Sequence, residues 1–295
     1  MDRLTSLRLF REVVEAGSFA RAAEAMGLSA PMASKHVAQL ERRLGVRLLN
    51  RSSRHLSLTE AGRTWYEQSS QALDLLDAAE AALGSRADAT PRGLLKVSAP
   101  VWCATPRIAR LLADYRTQCP EVLVDMHLAN RRVDLVADGF DLALRATQEP
   151  SPALIARPLC PVPFHLVAAP SYLRRAGAPQ APADLARLAA IVPSYVNLEG
   201  LSLRGPGGRQ AALRLAPALR SDDTTLTLHA VRAGMGMAYL PGWLVDEDLA
   251  AGTLAELLPA WRAPANTLFA VYTSRRYMAP KLRSFIDFLA ARLAA

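Results

Sequence analysis

The chain has 295 residues, which on size alone predicts about two domains. Hydrophobic residues make up 51% of it and charged residues 21%, a balance that excludes a mostly disordered protein. No apolar run approaches the roughly 18 residues of a membrane-spanning helix, and the first residues lack the apolar segment of a secretory signal, so we expect a cytoplasmic protein with no membrane partner.

Positive charge is concentrated near the amino terminus. The formal net charge is +8, but a global excess is weak evidence for a nucleic-acid partner, because arginine also keeps proteins soluble. Residues 1–63 carry eleven Lys and Arg against six Asp and Glu, a net charge of +5, whereas residues 64–90 have a net charge of −4. The first sixty residues are therefore the candidate nucleic-acid contact.

Two short helices are predicted first. Apolar residues recur at the three-to-four-residue period of a helix with one buried face, at Leu4, Leu7, Phe10, Val13 and Val14. Gly17 then ends this helix. Ser18 can cap a second, shorter helix, which Gly27 ends.

A third helix follows after a tight turn. Ser29 or Ala30 begins it, Pro31 lies in its first turn, where a missing N–H costs little, and Gly45 ends it. Val37, Leu40 and Leu44 form its apolar face, whereas the outward face offers Ala30, Ser34, Lys35 and Gln39. The second and third helices are joined by a tight turn, and the third is basic on its outward face. Such a pair predicts a helix-turn-helix, in which the later helix fits the DNA major groove.

Residues 48–58 alternate apolar and polar side chains around a polar turn, which predicts a β-hairpin wing. Arg51 and Arg54 would then point at the DNA backbone or the minor groove. Helix spacing alone leaves a second interpretation open, a small helical bundle with a solvated basic face.

A long helix is predicted from Thr59, which can cap it, to about Leu83. It carries a heptad seam at Trp65, Ser69, Ala72, Leu76, Ala79 and Leu83. A seam of this kind favours self-association of two chains; the alternative is packing on the chain's own second domain. Residues 85–93 are typical of a hinge.

The remaining residues alternate short apolar runs with helical ones, which predicts an α/β domain with a largely parallel sheet. In one lobe we expect strands at residues 94–97, 122–128 and 142–145 and helices at 105–115 and 132–137. In a second lobe we expect strands at 164–168, 190–192 and 237–240, a hairpin at 201–215, and helices at 182–188, 224–233 and 242–250. A strand at 268–272 and a helix at 281–293 would return to the first lobe, and crossings near Pro161 and Trp261 would leave a ligand cleft.

Specific sequence runs in residues 10–23, 28–45, 48–51 and 58–62 together resemble the LysR-type transcriptional regulators. They include Ala16-Gly17-Ser18-Phe19, Ser34-Lys35 and Leu58-Thr59-Glu60-Ala61-Gly62. Residues 97–100, 170–173 and 230–241 match more loosely, as Val-Ser-Ala-Pro, Pro-Ser-Tyr-Leu and a glycine-rich run ending in Leu240-Pro241.

The resemblance implies an α plus α/β fold. A winged helix-turn-helix would occupy residues 1–58, and a long linker and dimerisation helix with its hinge residues 59–92. A two-lobed α/β effector domain resembling periplasmic binding proteins would occupy residues 93–295, with lobe I at 93–160 and 266–295 and lobe II at 161–265. The implied partners are double-stranded promoter DNA, a small-molecule effector, a second or further copies of the chain as homodimer or homotetramer, and RNA polymerase as a candidate.

The family's DNA-contacting positions fall on Ser18, Ser29, Ala30, Pro31, Ser34, Lys35, Arg51 and Arg54. Many relatives have glutamine where this chain has Ala30 and arginine where it has Lys35. The resemblance therefore implies no adenine contact from Ala30, although an alanine can touch a thymine methyl group. The dimer positions implied on the linker helix are Trp65, Ala72, Leu76, Ala79 and Leu83.

The expected effector site includes Ser98, Pro100, Val101, Trp102, Thr105, Leu128, Asn130, Ser194, Tyr195 and Thr224. Ser98 and the free N–H groups of the following helix would suit a carboxylate, so we expect an anion. Trp102 and Tyr195 could pack against an apolar or aromatic body. The alternatives are that Ser98 is a helix cap and that Trp102 is a core residue.

The sequence gives less support to three other functions. An enzyme is disfavoured because hydrolase, nucleotide and dinucleotide motifs are absent, and no cofactor or metal site is expected from the histidine and cysteine spacing. A solute-binding protein without a DNA role would need an export signal and would leave the basic segment unexplained. A redox sensor is disfavoured because Cys103, Cys119 and Cys160 lack the basic neighbours that tune a reactive thiol.

Overall fold

The computed structural model describes residues 2–51, 56–82, 90–131, 133–273 and 278–293. It divides into two compact units, Met1–Gly93 with Arg275–Arg283, and Leu94–Ser274 with Ser284–Ala295. The first unit contains α1 (Arg3–Ala16), α2 (Phe19–Ala25), α3 (Ala30–Leu44), β1 (Leu49–Arg51), β2 (Leu56–Leu58) and α4 (Glu60–Ala82). In the described part of the chain, no helix is long and apolar enough to cross a membrane.

The ends of the first three helices confirm the predicted caps. Ser18 Oγ accepts a hydrogen bond from the Arg21 N–H, and Ser29 Oγ accepts one from the Met32 N–H. Gly17 and Gly45 end α1 and α3 with φ of 61° and 71°, a left-handed conformation that glycine adopts without strain. The tight turns that bring the three helices together therefore follow directly from these residue types.

The core of the first unit contains only part of the predicted apolar stripes, since Leu4, Leu7 and Val14 of α1 are half-buried and Leu9 is buried instead. The buried apolar residues of this unit include Leu9, Phe10, Val13, Ala22, Ala23, Ala33, Val37, Leu40 and Leu48. Leu44, which we expected in this core, is only half-buried. His36 lies buried on the inner face of α3 instead, and its Nδ1 is 2.8 Å from Ser6 Oγ of α1. This polar pair was not expected from the sequence, because a histidine does not mark an apolar stripe.

The Thr-Glu-Ala-Gly run joins the wing to α4 through close backbone contacts. Thr59 Oγ1 donates to the Arg47 carbonyl at 2.7 Å and accepts from the Gly62 N–H at 2.9 Å, so Thr59 caps α4 as predicted. The Thr59 N–H donates to the Leu48 carbonyl at 2.9 Å. A Cβ atom at Gly62 would lie only 1.9 Å from that carbonyl oxygen. Only glycine lets the helix approach the strand this closely.

Helix α4 has two different apolar faces. Tyr66, Ser69 and Leu73 are buried within the first unit, so Ser69 faces the chain itself rather than a partner seam. The ion pairs Arg8–Asp77, at 2.7 Å, and Arg11–Asp74, at 3.0 Å, hold α4 against α1. On another face, Ala72, Leu75 and Leu76 form an exposed strip, in which the two leucines are 57% and 47% exposed.

The second unit contains two five-stranded sheets. The first has the strand order β4-β3-β5-β14-β6 and comprises β3 (Gly93–Ala99), β4 (Val122–Leu128), β5 (Leu142–Thr147), β6 (Ile155–Val162) and β14 (Asn266–Tyr272). The second has the order β11-β8-β12-β7-β13 and comprises β7 (Phe164–Ala168), β8 (Ala189–Pro193), β11 (Ala216–Ser221), β12 (Met237–Pro241) and β13 (Ala255–Glu256). A predicted hairpin is formed by β9 (Ser202–Arg204) and β10 (Gln210–Ala212).

Five helices accompany these sheets: α5 (Pro106–Gln118), α6 (Pro170–Ala176), α7 (Thr224–Arg232), α8 (Gly242–Ala251) and α9 (Pro280–Leu293). Helix α9 returns to the first sheet's lobe, where Tyr115 of α5 packs on Phe285 with ring centroids 4.8 Å apart. The Tyr115 hydroxyl also lies 2.8 Å from Ser284 Oγ. The expected return of the chain end to the first lobe is therefore present.

Both sheets are mixed, so the expectation of a largely parallel sheet was wrong. Strand β3 is parallel to β5, and β8 is parallel to β11 and β12, as a βαβ pattern predicts. However, β14 runs antiparallel to β5 and β6, and β7 runs antiparallel to β12 and β13. These antiparallel strands lie next to the points where the chain crosses between the sheets, which local periodicity does not report.

Two predicted elements differ in detail. The helix expected at 132–137 is a hydrogen-bonded turn over its described residues, because Asp134 Oδ1 accepts the N–H groups of Val136 and Ala137 that a helix would use otherwise; residue 132 lies outside the described residues. The helix expected at 182–188 is a 3₁₀ helix, Pro182–Arg187.

Candidate DNA interface and effector cleft

The amino-terminal face of α3 carries the expected DNA-contacting side chains. Ala30, Pro31 and Lys35 are exposed there, and Ser34 is half-buried beside them. Ser29 is exposed, but its hydroxyl caps α3, and Ser18 in the same way caps α2. A helix end with exposed small side chains and one cation can enter a major groove without steric obstruction.

The wing is tied to α3 by one carboxylate. Strands β1 and β2 pair antiparallel with Leu49 opposite Leu58, and Glu41 Oε1 of α3 accepts the N–H groups of Leu48 and Leu49 at 2.9 and 3.1 Å. These bonds fix the start of the wing relative to α3. Arg54 and the side chain of Arg51 lie outside the described residues.

The expected dimer positions on α4 separate into three groups. Ala72 and Leu76 lie on the exposed strip, next to Leu75, which the heptad count did not include. Trp65 is half-buried one face away. The Ala79 side chain and Leu83 lie outside the described residues.

A cavity of about 270 Å³ lies between the two sheets of the second unit. Of the residues expected in the effector site, Pro100, Trp102, Asn130 and Tyr195 line it. The cavity is also lined by residues that the sequence analysis missed, among them Arg145, Phe164, Tyr239 and Asn266. Arg145 could have been noticed, because it is the one charged residue in the apolar strand Leu142–Thr147.

A second hollow of about 430 Å³ adjoins this cavity and shares Asn130 and Tyr195 with it. It is lined by Val101, Leu128 and Ser194 of the expected set, together with Asp222 and Asp223. This hollow is larger but more open, and charges of both signs line it, since Arg131, which pairs with Asp138 at 3.3 Å, lies beside the two carboxylates.

Three expected effector residues, Ser98, Thr105 and Thr224, line neither space. Ser98 is fully buried and holds Arg145 rather than capping a helix, since its Oγ accepts from Arg145 Nη2 at 2.8 Å. Thr105 caps α5 by accepting from the Ile108 N–H. Thr224 is 4% exposed, and its Oγ1 accepts a hydrogen bond from Asn130.

Asn130 connects the two lobes. From the end of β4, its Oδ1 accepts the Val101 N–H at 3.2 Å. Its Nδ2 donates to the Asp222 carbonyl at 2.6 Å and to Thr224 Oγ1 at 3.2 Å, both at the start of α7 in the other lobe. One side chain therefore uses its acceptor and both donors to hold the cleft.

The walls of the cavity are aromatic. Trp102 is 5% exposed and packs edge-on against Phe164 and Trp243, with ring centroids 6.5 and 5.6 Å apart. Phe164 in turn packs against Tyr239 at 5.2 Å. Trp102 thus serves both of the roles that its sequence position allowed, core packing and cavity lining.

The Arg145 guanidinium is the cation of the cavity. It donates to Ser98 Oγ and to the Leu144 and Arg131 carbonyls, and no Asp or Glu among the described residues forms an ion pair with it. Burial lowers the pKa of Arg145, and burial raises the pKa of the neighbouring Cys103 thiol to about 12, so this thiol is neutral at pH 7. Among the described residues, no acidic side chain therefore compensates this positive charge.

Other kinds of site receive no support. No group of three or more His, Cys, Asp or Glu within the described ranges could hold a metal ion. Burial raises the pKa of both Cys103 and Cys160, which opposes the thiolate that a redox sensor needs.

The chain matches two known protein families. Residues 4–63 match the family described as "Bacterial regulatory helix-turn-helix protein, lysR family", and residues 88–294 match "LysR substrate binding domain". An HTH-type transcriptional regulator from Xanthomonas campestris pv. campestris is 34% identical over 98% of this chain and 85% of its own length. PtxR, an HTH-type transcriptional regulator from Pseudomonas aeruginosa, is 33% identical over 99% of this chain and 95% of its own.

Solved structures show the same arrangement of domains. The LysR-type regulator CrgA from Neisseria meningitidis has a TM-score of 0.63 and 30% identity, and the match covers 99% of each chain. The full-length virulence activator AphB from Vibrio cholerae has a TM-score of 0.62 over 99% of this chain and 100% of its own, and at 24% identity it supports the fold alone.

The families and these relatives are transcriptional regulators rather than enzymes. The match of the amino-terminal segment also excludes a solute-binding protein that consists of the second unit alone. The chain belongs to the LysR-type transcriptional regulators, with a helix-turn-helix DNA-binding domain followed by an effector-binding domain.

Proposed function

We propose that this regulator binds promoter DNA in the cytoplasm as a homodimer or homotetramer and that a small anionic effector in the Arg145 cavity changes this binding. Residues 1–58 would bind DNA, 59–92 would join the copies, and 93–295 would take up the effector, with lobe I at 93–160 and 266–295 and lobe II at 161–265. RNA polymerase would be the partner through which promoter occupancy acts. The observation that carries the DNA half is the exposed, unobstructed start of α3 beside a wing held by Glu41.

The DNA contacts divide by chemistry. Lys35 can donate to guanine O6 and N7 or to a phosphate, Ser34 can contact either, and Ala30 can contact a thymine methyl group. Pro31 and Ser29 shape the start of the helix, and Ser18 brings the start of α2 to the backbone. Arg51 and Arg54 complete the set as backbone or minor-groove contacts, on the sequence argument alone.

Dimerisation supplies the second half-site. The exposed strip of Ala72, Leu75 and Leu76 is apolar, and the described residues of the same unit do not cover it. This exposure supports a role for the strip as a contact between two copies of the chain. Trp65, Ala79 and Leu83 would extend the same interface. Two-fold symmetry would place two recognition helices on one face of the duplex.

The effector half acts through the cleft. A ligand that occupies the cavity contacts Trp102 from one lobe and Tyr239 from the other, next to the Asn130 bridge. Binding would therefore favour one relative position of the two lobes over another. The size of this shift is set by how much more tightly the ligand binds one conformation of the cleft than the other.

A salt titration tests the DNA half. Affinity for double-stranded DNA from upstream of its own gene should fall steeply as salt rises, because phosphate contacts release counterions. Lys35→Ala should cost about 1–3 kcal/mol of binding free energy at the specific site. Arg174→Ala is the control, since it removes one exposed positive charge from α6.

Fluorescence anisotropy or gel shift measures both effects. Affinity that hardly changes between low and physiological salt would contradict the phosphate contacts. Equal affinity losses for Lys35→Ala and Arg174→Ala would contradict the assignment of α3 as the recognition helix.

A further inference from the structure

The Arg145 side chain is held in position by hydrogen bonds, but no acidic side chain in the described part of the chain neutralises it. Ser98, which is fully buried, and two backbone carbonyls accept its hydrogen bonds, and these partners are all neutral. A guanidinium has five N–H donors in a planar fork that matches a carboxylate. Because this guanidinium also lines the cavity, it is well placed to receive an anionic group from a ligand.

The walls around Arg145 fit a flat apolar body. Trp102, Phe164, Tyr195 and Tyr239 all line the cavity, and three of these rings pack against one another edge-on or tilted. Rings in this arrangement present faces and edges to a further ring. The cavity volume of about 270 Å³ lies just below the roughly 300–1,000 Å³ typical of ligand pockets, so it favours a small ligand such as one with a single ring.

The surroundings also limit the charge of the ligand. The adjoining hollow carries Asp222 and Asp223, both exposed, and Arg131, whose charge is already paired with Asp138 at 3.3 Å. A second carboxylate that extended beyond the cavity in this direction would meet like charges, which is unfavourable. The nearby uncharged polar groups are different: the Tyr239 hydroxyl and the Asn266 amide make no side-chain hydrogen bonds to the residues that the structure describes. They offer neutral donors to a ring substituent.

We propose that the effector is a single-ring aromatic monocarboxylate, whose carboxylate pairs with Arg145 and whose ring packs among Trp102, Phe164 and Tyr239. This inference rests on the proposed effector role of the cavity and specifies its ligand class. Arg145 is the residue that selects the anion, and the aromatic walls select the ring.

Matched probes separate charge, ring and size. Benzoate, benzamide, acetate and 1-naphthoate are titrated against the full chain, and the shift in melting temperature is measured, since a ligand that binds only the folded state raises it. We expect benzoate to raise the melting temperature. Benzamide has nearly the same shape without the charge, acetate lacks the ring, and 1-naphthoate adds a second ring, so each should give a much smaller shift.

Variants then test the role of Arg145. Arg145→Gln should weaken benzoate binding by roughly ten- to a hundredfold, the usual effect of losing a charged hydrogen bond, and Arg145→Lys should retain part of the affinity. Arg110→Gln is the control, because it removes an exposed arginine of α5 that lines neither space. Circular dichroism checks that each variant is folded. If Arg145→Gln fails to fold, the comparison of benzoate with benzamide on the unaltered chain still decides.

The outcomes are distinct. Equal shifts with benzoate and benzamide, or an unchanged benzoate affinity in folded Arg145→Gln, would overturn the inference. DNA binding is measured on the same preparations. A chain that binds promoter DNA but shows no benzoate shift overturns the ligand class and leaves the proposed function intact. A chain that does not bind promoter DNA overturns the proposed function, and the inference falls with it.

Discussion

Gly62 shows how one residue sets the position of the wing against the linker helix. It lies inside α4, where glycine normally costs about 0.8–1 kcal/mol relative to alanine, because it loses more backbone entropy on folding. That cost is offset by the contact it permits, since a Cβ atom would meet the Leu48 carbonyl oxygen at 1.9 Å and its carbon at 2.8 Å. Helix propensity and close packing therefore predict opposite signs for the same substitution.

We expect Gly62→Ala to lower the free energy of unfolding of the first unit by about 1–3 kcal/mol, the usual cost of overpacking, despite its better helix propensity. Thermal and urea denaturation measure this change. Ala61→Ser is the control, because it adds one heavy atom to an exposed position in the same turn. A Gly62→Ala variant as stable as the unaltered chain would show that the close approach to Leu48 is wrong.

The effector cleft was predictable from the sequence only in part, and the reason also lies at single residues. Asn130 was expected in the effector site because it follows a predicted strand, and Trp102 and Tyr195 because they are aromatic. All three line the cavity. Arg145 was not predicted, because its strand has the pattern of an apolar run, which indicates burial and not a ligand contact. Its role depends on Ser98, 47 residues away, and such a pairing is visible only once the two parallel strands lie side by side.

At the scale of elements, the predicted inner strands and most of the predicted helices were confirmed, whereas residues 133–137 form a turn, Pro182–Arg187 is a 3₁₀ helix, and β6 and β11 were missed. Each is one of the two edge strands of its sheet, and together they contain Pro158, Pro161 and Pro217. Proline has no N–H group to donate to a neighbouring strand, so its presence argues against a strand when only the sequence is considered. An edge strand tolerates proline because one of its sides has no neighbour to bond. Edge position is a property of the assembled sheet and cannot be obtained from local periodicity.

Helix α4 was predicted correctly as a helix, but the residues of its buried face were not fully distinguished from those of its exposed strip. The heptad count placed Ser69 with Ala72 and Leu76, whereas Ser69 is buried against its own unit and the other two lie on the exposed strip. A helix that packs on its own chain and on a second copy carries two overlapping apolar stripes. One sequence period cannot assign each residue to its stripe.

We expect Leu76→Glu to weaken self-association at least about tenfold, because a carboxylate would be buried without a partner in the interface between copies. Sedimentation equilibrium measures this change, and promoter affinity should fall with it as the second half-site is lost. Val136→Glu is the control, since it alters a 71% exposed valine outside α4. An unchanged oligomeric state in Leu76→Glu would exclude the exposed strip from the interface.

At the scale of the whole effector-binding half, Asn130 makes two hydrogen bonds to the start of α7 in the other lobe, and a third, from the Val101 N–H, holds it in its own lobe. Each neutral hydrogen bond contributes about 0.5–1.5 kcal/mol. Removing this side chain should therefore loosen the cleft without unfolding either lobe, because both hydrophobic cores remain in place.

We expect Asn130→Ala to accelerate backbone hydrogen exchange at Val101 by roughly tenfold, the factor that corresponds to about 1.4 kcal/mol, since that N–H donates to Asn130 Oδ1. Hydrogen exchange read by mass spectrometry or NMR measures it. Asn197→Ala is the control, because Asn197 Oδ1 accepts only a local bond from the Glu199 N–H. If both variants exchange alike at Val101, Asn130 is not held in its own lobe by this hydrogen bond and cannot position its amide for the contacts across the cleft.

The strand order of the first sheet also determines when it can be completed on the ribosome. Strand β14 lies between β5 and β6, so β6 has no neighbour in its sheet until residues 266–272 have been translated. The strands of the other sheet all lie within residues 164–256 and emerge earlier. A nascent or prematurely terminated polypeptide therefore carries one finished sheet and one split sheet, and its unpaired strand edges are surfaces that chaperones and proteases recognise.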